Sequence, residues 1–383
     1  MKMNREKRYL FVFLEILGVE GGIQSYVKDI WRAYGELSEP STADIFLLRD
    51  APVKHNPFAT EKLKFHYFKT RNPMLGRVWM IANFAIYLWQ YRPDHVFCGH
   101  INLAPLIQTL CQISGIRYTV LTYGKEVWEP LSPRYQKALQ QASGIWTISR
   151  YSRDRACQTN QINPKLVEFL PCCVDGETFT PGEKNQALVE KYNLAGARVL
   201  MTVARLWSGD IYKGVDVTIR ALPAIAQAFP NVKYLIIGRG DDQPRLAQLA
   251  KDLGVGDRVV FAGFIPTEQL VEHYRLADAY IMPSQEGFGI VYLEAMACGV
   301  PVLSGDADGS ADPLQDGRLG WRVPHRNSEA VATACQEILQ GKDQRCDGKW
   351  LREESLAQFG RTAFRQKLQE LLNATDRAVV IPK

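Results

Sequence analysis

The 383-residue sequence has no Cys-x-x-Cys pair, no low-complexity tract and no short internal repeat. Nor does it contain the ~18 consecutive uncharged apolar residues that a membrane-crossing helix needs. Disulfide frameworks, fibrous repeats and spanning segments are thereby excluded. The eight cysteines, Cys98, Cys111, Cys157, Cys172, Cys173, Cys298, Cys335 and Cys346, fall largely within apolar patterns and read as reduced, mostly buried thiols. Met1 to Leu17 starts basic and turns apolar at Tyr9, but no small-residue cleavage site follows, so it reads as a first buried strand rather than a signal peptide. A cytoplasmic protein, or one at the inner face of a membrane, is expected. Net charge is only +5, with 23 Lys+Arg against 17 Asp+Glu through Lys184 and 23 against 24 after it. No basic-aromatic module or zinc knuckle accompanies that surplus, which excludes a nucleic-acid partner and suits an acidic small molecule or an anionic membrane surface.

What is present is a globular composition, 46% hydrophobic and 23% charged, in a chain long enough for two domains at ~150 residues each. Apolar runs of strand length alternate with segments of helical period, the mark of parallel sheets covered on both faces. A first series of strands is expected at Tyr9–Leu17, Asp44–Leu48, Phe65–Phe68, His95–Cys98, Tyr118–Thr122, Gly144–Ile148 and Leu166–Phe169. A second is expected at Arg198–Val203, Lys233–Ile237, Arg258–Phe261, Ala279–Met282, Val300–Leu303 and Gly320–Val323. Between them, Leu170 to Gly182 has two prolines and no period, and a short helix is expected from Glu183 to Tyr192. The expected division is therefore a first domain over 1–180, a second over 181–350, and a C-terminal helix and tail over 351–383 that pack back towards the first. Lys349–Leu372 has helical period throughout. Two doubly wound sheets with their carboxyl-edge loops facing one another would hold a ligand in the cleft between them. Met74–Tyr91 is crowded with large apolar residues and bracketed by Arg71, Arg77 and Arg92; a buried helix is the favoured reading, and a helix touching lipid the other.

Three local patterns carry chemistry. In Glu286-Gly287-Phe288-Gly289-Ile290-Val291-Tyr292-Leu293-Glu294, glycines precede a helix whose amino end offers free N–H groups to phosphate or sugar oxygens, with Glu286 at its mouth and Glu294 further along. Arg205 ends a strand and Lys213-Gly214 opens a helix, a cation pair suited to clamping a pyrophosphate and the charge that grows on it as it leaves. Gly21-Gly22 opens the first helix without completing G-x-G-x-x-G, so a phosphate contact is expected and a dinucleotide is not.

Together these residues resemble the retaining nucleotide-sugar glycosyltransferases of the GT-B fold, family 4. The likeness spans nearly the whole chain, and includes Gly238-Arg239-Gly240, Gly263-Phe264-Ile265 and Val174-Asp175. It implies Arg205 and Lys213 at the donor diphosphate, Glu294 at the ribose, and Glu286 with the amides of Phe288, Gly289 and Ile290 at the sugar. Gly21 and Gly22 would add backbone contact to the phosphate, and Arg239, Phe264 and Ile265 would lie near the base. The resemblance implies no cofactor beyond the nucleotide-sugar substrate and no metal, since the cations and the helix end do a metal's electrostatic work.

Two departures stand out. Relatives often carry His-Gly where this chain has Tyr123-Gly124-Lys125-Glu126, so Tyr123 and Glu126 become the candidates for acceptor or sugar contact. Asp308-Gly309-Ser310-Ala311-Asp312 replaces a Gly-Gly-x-x-Glu stretch and has no assigned role. The expected reaction moves a hexose from a UDP-sugar or GDP-mannose to a glycan or lipid-linked acceptor. No second carboxylate is placed opposite Glu286, so two-carboxylate glycosidase chemistry fits poorly and front-face substitution is expected. A nucleotide-sugar epimerase and a catalytically silent sugar-binding partner are the rival readings. A peripheral membrane contact is a further expectation, drawn from the basic first half and the Met74–Tyr91 segment.

Overall fold

A computed structural model describes residues 6–38 and 41–377. The basic residues before Glu6 and the expected tail beyond Arg377 lie outside these. The chain divides into two compact units, one comprising residues up to Cys172 together with those from Phe364 onward, the other Cys173–Ala363.

The first unit is built on a seven-stranded sheet of order β3-β2-β1-β4-β5-β6-β7. Its strands are β1 (Lys7–Phe13), β2 (Ser41–Leu47), β3 (Leu63–Tyr67), β4 (His95–Cys98), β5 (Tyr118–Thr122), β6 (Gly144–Thr147) and β7 (Val167–Phe169). All neighbours pair in parallel. Helices α1 (Gly22–Gly35), α2 (Pro73–Tyr91), α3 (Ala104–Ser114), α4 (Pro133–Gln140) and α5 (Arg150–Asn160) connect them. β4 is buried at every position, which is why Val96-Phe97-Cys98 is apolar without alternation, and its one polar residue, His95, is bonded to the Thr119 hydroxyl at 2.8 Å.

The second unit has a six-stranded parallel sheet of order β10-β9-β8-β11-β12-β13. Its strands are β8 (Arg198–Val203), β9 (Val232–Ile237), β10 (Val259–Gly263), β11 (Ala279–Met282), β12 (Val302–Gly305) and β13 (Trp321–Val323). The helices are α6 (Gln186–Lys191), α7 (Val215–Ala228), α8 (Gln243–Asp252), α9 (Thr267–Tyr274), α10 (Ile290–Ala297), α11 (Ser328–Gln340) and α12 (Gly348–Phe359), with α13 (Arg361–Arg377) running on into the first unit. In each sheet the order reverses between two central strands, β1 and β4 in one, β8 and β11 in the other. Loops leaving the carboxyl ends of such a pair diverge and leave a crevice, the usual ligand position in doubly wound sheets.

Every expected strand is present, with ends displaced by a few residues. The C-terminal segment differs: Lys349–Leu372 is two helices, broken at Gly360, where the backbone becomes extended and bridges to Val174. A Cβ at Gly360 would stand 2.5 Å from the Leu356 carbonyl oxygen. The first unit also ends earlier than the expected 180, and α12 belongs to the second unit rather than to a crossing tail. The cause is Arg352, whose guanidinium donates to the Phe179 carbonyl at 2.6 Å and to those of Gly176 and Ala297, tying residues 176–179 to α12 and α10. Beyond the break, Phe364, Leu368, Leu371 and Leu372 form a buried stripe in the first unit, where the Phe364 ring meets Tyr26 edge-on at 6.1 Å.

Met74–Tyr91 is a helix, but not a buried one. Gly76, Met80, Phe84, Tyr87 and Leu88 face the core, while Met74, Leu75, Val78, Ile86 and Trp89 point outward. Six of the cysteines are buried and none forms a disulfide. Burial pushes the Cys98, Cys111 and Cys298 thiols up to about 12, away from nucleophilic or redox chemistry.

Arg352→Met keeps the apolar stem and removes three bonds to main-chain carbonyls. It is expected to lower the unfolding free energy of the second unit by about 2–3 kcal/mol, the scale of charged hydrogen bonds lost with their acceptors left in place, measured by urea denaturation.

Candidate active site

The site forms where β8 and β11 end. Arg205 lies two residues beyond β8 and is well exposed, and its Nε donates to Asp210 Oδ2 at 2.6 Å while Asp210 itself is buried. That bond raises the guanidinium's proton affinity further, so the cation is permanent. The turn between them places Lys213 just before α7. Gly214 has φ 74° there, and a Cβ on it would lie 2.4 Å from the Pro283 carbonyl oxygen. Only glycine lets this loop press against the end of β11. The Gln285 amide donates to the Tyr212 carbonyl at 3.1 Å and completes the join.

Across that join, Lys213 Nζ donates to Glu286 Oε1, both side chains about four-fifths shielded from water. Glu286 is fixed from behind by Asp308. Asp308 Oδ2 accepts the Glu286 amide at 2.6 Å, Oδ1 accepts the Ser310 amide at 2.9 Å and the Ser310 hydroxyl, and the Gly309 amide returns a bond to the Glu286 carbonyl at 2.8 Å. Burial raises the Asp308 carboxyl to about 6, the surrounding donors only partly offsetting it.

The glycine turn follows. Gly289 takes φ 93°, and a Cβ there would strike the Tyr292 ring at 2.4 Å. It leads into α10, whose amino end has no side-chain cap and no acidic residue in its first turn, so the first N–H groups retain the positive end of the helix dipole. Phe288 is buried against Phe359, its ring 5.8 Å away. In the second turn of α10, Glu294 Oε2 accepts from the Tyr274 hydroxyl at 2.7 Å. Behind these groups Tyr274, Tyr280 and Tyr292 are fully buried, and burial holds each phenol neutral, far above its ordinary range. At the ends of β9 and β10, the Arg239 guanidinium stacks on the exposed Phe264 ring at 4.9 Å, beside half-buried Ile265.

The second unit thus gathers Arg205, Lys213, Glu286, Phe288, Gly289, Ile290, Glu294, Arg239, Phe264 and Ile265 at one edge of its sheet. A cavity of about 370 Å³ between Val189, Leu194, Val199 and Leu276 lies at the opposite, amino end of β8 and holds none of them. Carboxyl-edge geometry makes the Lys213–Glu286 region the better ligand site.

The remaining candidates lie in the first unit. Gly21 caps α1 and Gly22 begins it, again without a side-chain cap, and a Cβ on Gly22 would meet nothing within 4 Å. The loop before them is shaped by buried Asp50, which accepts the amides of Ile16, Leu17 and Gly18 at 2.7, 2.9 and 2.7 Å. Tyr123 and Glu126 are turned inward rather than offered to a ligand. The Tyr123 ring is buried and its hydroxyl donates to the Gly99 carbonyl at 2.8 Å, while the Glu126 carboxylate accepts the amides of Tyr123 and Gly124. The sequence reading missed Asp50, Asp210, Tyr274 and the function of Asp308. Asp50 and Asp308 act on main-chain amides, Asp210 on the Arg205 guanidinium and Tyr274 on the Glu294 carboxylate, contacts that no residue pattern announces.

A profile of the family described as Glycosyl transferases group 1 matches residues 197–341, nearly the whole of this sheet and its helices. The chain is 31% identical over 336 residues, 83% of its length, to the GDP-mannose-dependent alpha-(1-6)-phosphatidylinositol monomannoside mannosyltransferase of Mycolicibacterium smegmatis, covering 86% of that protein. The Mycobacterium tuberculosis H37Rv protein of the same description is 32% identical over 300 residues, 74% of this chain and 77% of that one. Among solved structures, a glycosyltransferase from Rickettsia africae ESF-5 aligns with a TM-score of 0.79 at 16% identity, covering 97% of this chain and 99% of that one. Anabaena Alr3699/HepE in complex with UDP aligns with a TM-score of 0.76 at 20% identity, covering 96% and 100%. Fold and relatives together define a GT-B-type enzyme of two Rossmann-like units that transfers a sugar from a nucleotide sugar. The chain belongs to the group 1 glycosyltransferases, and its activity is that of a hexosyltransferase.

Asp308 provides the pH test. Above about 6 its carboxylate is ionised and accepts at both oxygens; below, a proton occupies an oxygen that already faces an N–H donor. Activity is therefore expected to fall as pH drops through about 6. Asp308→Asn should abolish that inflection and lower kcat/KM on the order of 10- to 100-fold, through displacement of Glu286. A pH–rate profile of the two proteins checks both.

Proposed function

We propose that this enzyme moves a mannosyl residue from GDP-mannose, with retention and without a metal, to a hydroxyl of a lipid-linked acceptor built on inositol phosphate. The observation that carries the reading is the Lys213–Glu286 ion pair beside the uncapped amino end of α10. The choice of GDP-mannose and of a phosphoinositide acceptor is supported by the descriptions of the relatives in Mycolicibacterium and Mycobacterium.

In the ligand-free protein Lys213 and Glu286 neutralise one another. A bound diphosphate takes over the ammonium and recruits Arg205, which frees the Glu286 carboxylate for sugar hydroxyls. The α10 amides meet the donor at the reacting end, Glu294 accepts the ribose hydroxyls while Tyr274 holds its other oxygen, and the Arg239–Phe264 pair flanks the base. As the glycosidic C–O bond breaks, charge accumulates on the departing phosphate, where two fixed cations and a helix end already point. The acceptor oxygen attacks from the face the phosphate leaves, and its proton passes to a phosphate oxygen, so no protein base is required. The new bond keeps the donor's anomeric configuration.

With EDTA present, GDP-mannose is expected to raise the melting temperature and to be slowly hydrolysed, while UDP- and ADP-sugars do neither. A preference for a UDP-sugar overturns the donor; activity that disappears with EDTA overturns metal independence. Lys213→Ala should lose about 10²- to 10³-fold in turnover, the scale of removing one preorganised charge partner, and should also lower the melting temperature, since it leaves the shielded Glu286 carboxylate without its cation. Lys213→Ala with normal turnover removes the ion pair from the mechanism.

A further inference from the structure

The turn between β13 and α11 holds a residue in an unfavourable conformation. At Arg326 φ is 58°, in the left-handed region that a residue with a Cβ rarely adopts. The turn is tight. The Pro324 carbonyl accepts the Asn327 amide at 3.2 Å, Asn327 caps α11 by accepting the Ala330 amide at 2.9 Å, and the His325 amide donates to Asp306 Oδ1 at 3.2 Å. Glycine would occupy position 326 at less conformational cost. Strain of this kind persists where surrounding contacts hold it, so the partners of the Arg326 side chain matter.

Those partners lie on the loop that carries Lys213. Nη1 donates to the Ile211 carbonyl at 3.3 Å, and Nη2 donates to Asp216 Oδ2. Ile211 stands two residues before Lys213, and Asp216 three residues after it in the first turn of α7. One planar guanidinium thus spans the lysine, a reach that a single ammonium on the same backbone does not have. The Asp216 side chain is only 5% exposed, and among the described residues no other side chain bonds to it. Near the other end of the same helix pair, Gln336 Nε2 donates to the Ala224 carbonyl at 3.0 Å, so α11 is joined to α7 at two points.

The other holds on Lys213 come from the loop after β11: its ammonium bonds to Glu286, and the Gln285 amide donates to the Tyr212 carbonyl. A diphosphate that takes over the ammonium removes the first of these, and the chain beneath the lysine must then keep its place without it. We propose that Arg326 is a positioning residue for Lys213, clamping the chain on both sides of it so that the ammonium stays aimed at the diphosphate once it has left Glu286. Arg326 acts through the loop and not on the donor. The proposal rests on the assignment of Lys213 to the diphosphate, and is independent of the nucleotide and sugar that the diphosphate joins.

A double-mutant cycle on the full-length protein tests it. Asp216→Asn/Arg326→Gly removes both charges, so no bare carboxylate is left in the interior, and gives the turn the residue its backbone favours; the melting temperature should stay within a few degrees of the wild type. Amide exchange across residues 208–216 should nevertheless quicken about tenfold or more, with that of β9 unchanged. With GDP-mannose as donor, kcat for GDP release should fall about tenfold and KM change less than about threefold. In a Lys213→Ala background the same two substitutions should alter kcat by less than about twofold, since the group they position is gone. Arg326→Lys keeps the charge but not the span and should also be slow; wild-type kcat in that variant overturns the clamp. Unchanged exchange across 208–216 overturns it too, as does an equal loss of kcat with and without Lys213, which makes the contact merely structural. Normal turnover by Lys213→Ala, or no turnover of GDP-mannose by the wild type, is instead a failure of the proposed function, and exchange across 208–216 then decides the clamp alone.

Discussion

Opposite charges on Lys213 and Glu286, 73 residues apart, meet because β8 and β11 are neighbours at the centre of the second sheet. The rest of the site depends on that pairing. Gly214 must be glycine so that one loop clears Pro283; Asp308 must be buried so that the other loop presents its carboxylate at a fixed point. Neither charge would tolerate such shielding alone, because removing an ion from water without a partner costs several kcal/mol. The pair thus holds two unlike groups at fixed positions, each balanced by the other.

The tyrosines behind it supply rigidity. Tyr274, Tyr280 and Tyr292 occupy the space beneath α10, and their hydroxyls bond to Glu294, the Val203 carbonyl and the Met282 carbonyl respectively. Tyr280 joins the ends of β8 and β11, while Tyr292 joins α10 to β11. Phenols held neutral by burial remain hydrogen-bond donors across the working pH range, so this scaffold does not change with the ionisations in front of it. Asp308 is the contrast, a buried carboxyl within reach of a proton at mildly acidic pH.

Strand positions were legible because parallel strands covered on both faces are written as short apolar runs between turn residues, and a run such as Val96-Phe97-Cys98 is buried at every position. The glycine turn at Gly287–Gly289 and the cations at Arg205 and Lys213 were legible for a similar reason: their residue types are restricted by local geometry. What could not be read depends on contacts distant in sequence. The break at Gly360 follows from a bridge to Val174, and the division between units follows from Arg352 reaching the carbonyls of Gly176 and Phe179. Tyr123 and Glu126 stood at a position where a ligand contact was plausible, yet their polar atoms were taken by Gly99 and by nearby amides. The segment over Met74–Tyr91 misled by composition, since apolar content reports that a helix avoids water without saying how many of its faces its own fold covers.

The first unit draws its last helix from the far end of the chain, with Phe364, Leu368, Leu371 and Leu372 closing over Tyr26 and its neighbours. Synthesis therefore imposes an order on assembly. The second unit is continuous in sequence and has all its strands once Val323 has emerged, whereas the first, although made earlier, waits for the final helix with part of its core uncovered. For the time it takes to translate some two hundred residues, at about 5–20 residues per second, the side chains of the first unit that Phe364, Leu368, Leu371 and Leu372 cover in the finished fold lack that cover.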